Sequence, residues 1–277
     1  MDPFRKRVSA AVYYRRLFHS HRGELEELRQ ILADRRSVET VTQLLRARQT
    51  VLRRPEFYYA KASADLCDQF HFVDPNGFRV CGTRNPYFLS EFFRLDRNVV
   101  LLDGGAYIGD TIEQLFSLLG GPCKKVYAFE PNPETFQKLE KRTAQFGDLI
   151  ERLPYGLDCR DSTSNFRNDD AGSRLVDDGE ITVRTVDAGA FLRERETEPP
   201  TFIKLDIEGK EQDVLRSAAD FIRDNRPDLA VSIYHRLEDL WEIPLQLHWI
   251  CPDYQIYIRH QSNYYTETIC YATAGRA

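Results

Sequence analysis

From residue 99 onward the chain alternates short apolar runs with helix-length stretches: 99–103, then 111–119, then 125–130, then 134–146. Strands separated by helices pair in parallel, because each helix carries the chain back to the end where the previous strand began. The rhythm continues with strands over 149–155 and 202–206, a helix over 210–223 and a strand over 229–235. Right-handed crossovers turn such a series into a doubly wound α/β sheet. A polar Asp/Ser/Asn-rich stretch, 158–180, interrupts it and is expected to form a loop or hairpin beside the sheet. The two β-rich runs 254–260 and 266–272 are joined by a link too short for anything but antiparallel pairing. The expected sheet is therefore mostly parallel and ends in an antiparallel hairpin.

Residues 8–54 read differently. They are rich in Leu, Arg, Glu and Ala, with Leu25, Leu28, Leu32, Val41, Leu44 and Leu45 at helical spacing, which predicts two or three amphipathic helices. Pro55 ends that pattern, and turn formers at 74–77 and 83–86 mark a loop-rich passage. A border near residue 95 divides the chain into a helical N-terminal extension, 1–95, and an α/β domain, 96–277. The extension is expected to cover the acceptor side of the domain or to form a homodimer surface.

Charge is unevenly spread. The first 54 residues carry 13 Lys/Arg against 6 Asp/Glu, although the whole chain has a net charge of -5. Such a head suits nucleic acid, anionic lipid or an acidic glycan, but charged helix faces are more often simply solvated. No apolar run approaches the roughly 20 residues of a membrane span, and no signal-peptide pattern is present, so a cytoplasmic location is expected. Six cysteines without a C-x-x-C pair argue against a zinc knuckle or a disulfide framework.

The chemistry concentrates at strand ends. The first strand of the domain closes on Asp103 and turns through Gly104, Gly105 and Gly109 into a helix, so backbone can approach a ligand without Cβ interference. The glycines do not fit the dinucleotide spacing G-x-G-x-x-G, and no lysine stands where a P-loop needs one. Asp103 would repel a diphosphate and welcome the ammonium group of a methionine-derived cofactor. One β-α-β unit later, Glu130 ends the second strand, where an acid meets ribose hydroxyls; the competing reading is that it only caps the next helix. Asn132 should border the same pocket.

Three segments together, Leu101 through Asp110, Phe129-Glu130-Pro131-Asn132-Pro133 and Ile203 through Glu211, resemble the FkbM family of methyltransferases. The resemblance spans about residues 86–272 and leaves the first 85 uncovered. It implies a class I Rossmann-like fold, S-adenosyl-L-methionine as cofactor, and O-methylation of a sugar, glycan-precursor or secondary-metabolite hydroxyl. The cofactor contacts expected on this basis are Asp103, Gly104, Gly105, Tyr107, Gly109, Asp110, Glu130, Asn132 and Asp158. Lys210 departs from the small residue more usual at that place, which bears on the pocket rim.

Ligands of open α/β sheets sit beyond the carboxyl ends of the strands, so Asp103, Glu130, Asp206 and His235 should line one rim. Two roles are open for the last pair. His235 can act as general base on the acceptor hydroxyl. Alternatively, Asp206, Glu208 and His235 hold a divalent ion, Mn²⁺ or Mg²⁺, which orients the acceptor and lowers its pKa. The stretch Asp206-Ile207-Glu208, if extended, puts both acids on one side; a structural contact for Glu208 and packing for His235 are the plain alternatives. Tyr87 and Phe88 are placed over the cofactor or in the core, His260 and Glu267 at the acceptor side or in edge packing, and Asp187 is structural. Two other functions remain open: a nucleic-acid methyltransferase, disfavoured by the acidic body, and a non-catalytic cofactor-binding module.

Overall fold

A computed structural model of the chain describes residues 3–49, 71–73, 79–81, 86–167, 174–175, 181–195, 197–262 and 265–275. The end of the basic helical head near residue 54 and the turn-rich passages at 74–77 and 83–85 lie outside the described residues.

Two short strands, β1 (His71–Val73) and β2 (Arg79–Cys81), pair antiparallel with each other, and a seven-stranded sheet organises the molecule. In chain order it contains β3 (Val100–Gly104), β4 (Lys125–Phe129), β5 (Ile150–Leu153), β10 (Phe202–Leu205), β11 (Asp228–Ser232), β12 (Gln255–His260) and β13 (Thr268–Thr273). Its spatial order is β12-β13-β11-β10-β3-β4-β5. The five strands from β11 to β5 pair in parallel, whereas β13 runs antiparallel to both its neighbours. The α/β class, the parallel sheet and the closing hairpin agree with the sequence pattern. The hairpin does not simply extend the sheet, because its second strand is inserted between β11 and β12.

Strands β3, β10 and β11 are buried on both faces, which is why they read as continuous apolar runs. Alternate side chains serve two cores: Val100 and Leu102 join one, Leu101 the other. On one face lie α4 (Asp110–Leu119), α5 (Pro133–Thr143) and the segment around Tyr87 to Phe93. The opposite face carries α6 (Ala188–Arg193), α7 (Glu211–Ser217), α8 (Ala219–Asn225) and α9 (Asp239–Ile250), together with α1 (Pro3–Ser20), α2 (Arg22–Ile31) and α3 (Arg35–Gln49). The three N-terminal helices thus share a core with the sheet: Leu28, Val41 and Leu44 are at most 1% exposed.

Several boundaries differ from the sequence pattern. Strand β11 stops at Ser232, three residues short of His235. The helix expected over 210–223 is two helices, α7 and α8, meeting at Ala218. Helix α9 was not expected; its internal Pro244 hides it from propensity. The polar insert forms part of a second sheet of four strands, β6 (Gly156–Asp158), β7 (Ser162–Arg167), β8 (Arg174–Leu175) and β9 (Ile181–Asp187). Its ladders β7–β8 and β7–β9 are antiparallel, but β6 and β9 pair in parallel, which no hairpin can do.

Strand β12 is the outer strand of the main sheet, and the α2–α3 connection covers it. Leu32 bridges Ile256 in parallel, the Ala33 amide donates to the Ile256 carbonyl (2.8 Å), and the Ile258 amide donates to Ser37 Oγ (2.9 Å). Beside them Arg259, 2% exposed, donates to Asp34 (2.6 Å), Ser37 (2.9 Å) and Glu91 (3.3 Å). Removing one partner of a buried pair strands the others, although here the half-exposed acids can rehydrate. Arg259→Met should therefore destabilise by about 2 kcal/mol and lower the melting midpoint by roughly 5 °C. An unchanged midpoint would show that the three-way anchor carries no stability.

Candidate active site

The glycine turn begins as β3 ends. Gly105 and Gly109 have φ of +77 and +85, a region that favours glycine, and Tyr107 between them also has positive φ (+48) with its side chain 58% exposed. A Cβ on Gly105 would stand 2.0 Å from the Asp206 carbonyl oxygen, and the Asp206 amide donates to the Gly104 carbonyl (3.1 Å). The turn and the end of β10 therefore meet backbone against backbone. Gly109 precedes α4, whose first residue is Asp110.

Glu130, just past β4, accepts hydrogen bonds from the Tyr107 amide (3.1 Å) and the Asn132 amide (2.8 Å). Its carboxylate thereby fastens the turn to the second strand and does not cap α5. The cap is Asn132, whose side-chain oxygen accepts from the Glu134 and Thr135 amides. Burial lifts the Glu130 pKa to about 7, against the pull of those two amides.

Asp103 faces inward. It is 0% exposed and pairs with Lys204 Nζ at 3.0 Å, and the same ammonium donates to the carbonyls of Gly104 (3.1 Å) and Gly105 (2.6 Å). Burial opposes the Lys204 charge, yet Asp103 and Asp206 hold its pKa above the ordinary lysine value. An internal lysine thus occupies the place beside Asp103 where the sequence suggested a ligand ammonium. The only sequence signal for it was a lysine inside an otherwise apolar strand.

The second half of the site lies past the ends of β10 and β11. Asp206 follows β10 directly and accepts from the phenols of Tyr87 (2.7 Å) and Tyr234 (3.1 Å). His235 Nε2 lies 3.3 Å from Asp206 Oδ1 and 3.5 Å from Glu208 Oε2, while Nδ1 lies 2.9 Å from Glu211 Oε1. Glu208 reaches this place through left-handed backbone (φ +59), not through an extended strand end. Glu211, 0% exposed, accepts from the amides of Ile207 (2.8 Å) and Gly209 (3.0 Å), so its carboxylate is fixed before it meets the imidazole. Sequence reasoning gave no role to Tyr234, Lys204 or Glu211.

Electrostatics follow from this crowding. Burial works against a charged His235, but Glu211, Asp206 and Glu208 lift its pKa to about 9. Burial also works against the Asp206 carboxylate, and Lys204, His235 and Tyr87 overcome it and hold the pKa below its ordinary value. Glu267, with φ +61 ahead of β13, faces the same centre, and burial with the Asp206 charge pushes its pKa to about 7. His260 instead packs at 0% exposure with Nδ1 2.8 Å from Thr268 Oγ1. Asp187 caps α6 and accepts from Ser217.

Since the folded pKa of His235 exceeds its ordinary value of 6.5, its stabilising effect is complete below that value and is lost as pH rises through about 9. Glu211→Gln, in metal-free buffer, should therefore lose about 2 kcal/mol more stability at pH 6 than at pH 10. Denaturant midpoints at the two pH values check this; a loss independent of pH would mean that Glu211 does not hold a charged imidazole.

Asp158 ends β6 at 4% exposure and pairs with Lys210 Nζ (3.0 Å), which also reaches Asp213 (3.4 Å). Lys210 thus neutralises the rim acid nearest the small sheet.

Acids and backbone form the rim around the turn, and Lys204, its buried cation, is already held by Asp103 and two carbonyls.

A family model and known proteins match this chain. A family model described as the methyltransferase FkbM domain matches residues 103–260. The hexuronic acid methyltransferase AglP of Haloferax volcanii is 27% identical over 121 residues, or 42% of this chain and 48% of that protein. A crystal structure of a methyltransferase FkbM from Methylobacillus flagellatus superposes with a TM-score of 0.71 at 24% identity, over 92% of this chain and 59% of that one. The chain spans about half the length of the curated relative it matches. Among the described residues, no helix is long and apolar enough to cross a membrane.

Proposed function

The chain belongs to the methyltransferase FkbM domain family, and from that membership we propose that it methylates a hydroxyl oxygen of a saccharide or another hydroxylated small molecule, with S-adenosyl-L-methionine as donor. The observation that carries this reading is the convergence of the glycine turn, through the backbone contact of Gly105 with Asp206, on a buried imidazole held at one nitrogen by Glu211 and open toward Asp206 and Glu208 at the other. When bound, the cofactor supplies an electrophilic methyl group on a sulfonium. The chain has to position the acceptor oxygen in line and remove its proton.

The acidic surroundings favour a neutral acceptor. An anionic carboxylate would face Asp206, Glu208 and Glu267, while Lys204 is committed to Asp103 and two carbonyls. A hydroxyl carries no charge to repel, and it needs the proton acceptor that the site offers. The relative named for hexuronic acid supports a sugar as the acceptor class.

Asp206, Glu208 and His235 are also the residues that would hold Mn²⁺ or Mg²⁺. Asp206, Glu211 and His235 have ligand atoms close enough to share an ion, but Glu211 is better placed to orient the imidazole. Its oxygens already accept two amides, and a carboxylate on the far ring nitrogen is the usual support of a metal-binding histidine. A divalent ion there would lower the pKa of a hydroxyl oxygen. Both the ion and a general-base role require neutral His235, so Mn²⁺ affinity, or the rate itself where no ion is needed, should climb with pH toward about 9.

The test is transfer of labelled methyl from S-adenosylmethionine to a panel of neutral and uronic saccharides, with and without chelator. Labelled neutral saccharide is the expected product, with activity lost on chelation and restored by Mn²⁺. Turnover indifferent to chelation would remove the ion and leave His235 as base. Absence of transfer to every saccharide, despite cofactor binding, would overturn the acceptor assignment.

A further inference from the structure

We infer that the groove between α2, α7, α8 and α9 is an accessory binding site for a neutral saccharide, distinct from the methyl-transfer centre. The groove encloses about 600 Å³, within the range of small-molecule sites. Both tryptophans of the chain line it. Trp249 is 62% exposed, yet its indole N–H donates to Glu27 (3.0 Å). The edge of this ring is thus fixed while much of its surface meets solvent, the requirement for an aromatic platform under the apolar face of a sugar ring. Trp241 is 0% exposed and packs against Phe18 and His21, and its indole N–H has no hydrogen-bond partner among the described residues, which is unusual for a buried donor.

The polar lining has the chemistry of hydroxyl recognition. Gln212 donates to Asp239 and Glu242 (2.7 Å each) and Gln246 to the Gln212 carbonyl (3.1 Å), so what this lining offers a sugar is acceptors, the amide oxygens and the Glu24 carboxylate, to which hydroxyls donate. The lining arginines do not make it an anion site, because Arg216 pairs with Asp213 (2.8 Å) and Arg223 with Asp220 (2.7 Å). Gln212 follows Glu211, so this site and the methyl-transfer centre share α7.

The inference stands on the groove and not on the methyl-transfer reading. With both tryptophans in the groove, intrinsic fluorescence reports on it directly. The full chain is titrated with neutral glucose-, mannose- and galactose-based tetrasaccharides and with a hyaluronan tetrasaccharide as anionic comparator. A saturable change is expected with a neutral saccharide. Trp249→Ala, with Trp241 reporting, should weaken that binding about ten-fold and leave S-adenosylhomocysteine affinity unchanged. No saturable change with any neutral saccharide, binding of the anionic probe alone, or full affinity in Trp249→Ala would each overturn the assignment. Saccharide binding without methyl transfer would leave it standing and defeat the acceptor assignment; transfer without binding in the groove would do the reverse.

Discussion

Asp206→Asn should lower kcat about 10³-fold while S-adenosylhomocysteine still binds and the fold survives. The carboxylate receives two phenols and lies 3.3 Å from the imidazole nitrogen that faces the acceptor side. Neutralising it removes the charge that would orient a protonated imidazole or help hold a divalent ion. The variant keeps nearly the same shape, so lost activity cannot be traced to a cavity. Mn²⁺ affinity, read by the electron-spin signal of the free ion, should fall together with kcat if the site holds an ion. If the rate stays within about five-fold of the parent, well short of a general acid–base contribution, Asp206 takes no part in the chemistry.

Lys204→Met should be the most destabilising single change at the site, costing about 3–5 kcal/mol, because it strands the Asp103 carboxylate at 0% exposure. Adding Asp103→Asn removes that charge and should return most of the loss. Cofactor affinity should not recover with it, because the carbonyls of Gly104 and Gly105 also lose their ammonium donor, which loosens the turn against β10 although the Asp206 amide still donates to Gly104. Thermal melts and S-adenosylhomocysteine titrations of the single and double variants separate the two roles. A stable single variant would refute the buried pair, and a double variant of full affinity would refute the clamp on the turn.

The strand ends were legible in sequence because their signals are local. A glycine turn after an apolar strand, an acid closing the next strand, and Asp206 with His235 after two more need only strand assignment and the rule that ligands sit at carboxyl ends. What lay hidden depends on pairings between distant segments. Tyr87 reaches Asp206 across 119 residues, and Lys204 reaches Gly104 across 100. The parallel pairing of β6 with β9 and the insertion of β13 beside β11 likewise leave no periodicity in either partner. Lys204 did leave a mark, since a lysine in a strand buried on both faces must find a buried acid. Helix α9 left a misleading one, Pro244. Asp103 shows the limit of motif chemistry: the acid stands where expected, but its charge is answered within the protein.

The cover over strand β12 also bears on the order in which the chain can fold during synthesis. Ser37 and Ile258 are 221 residues apart, so at the usual pace of translation roughly ten to forty seconds separate their appearance. Throughout that interval Val41 and Leu44, each 1% exposed in the finished molecule, lack the strand beside which their helix packs. Helices α1 to α3 are thus made well before the hairpin that completes their packing, and a nascent chain in this interval is a natural client for a chaperone.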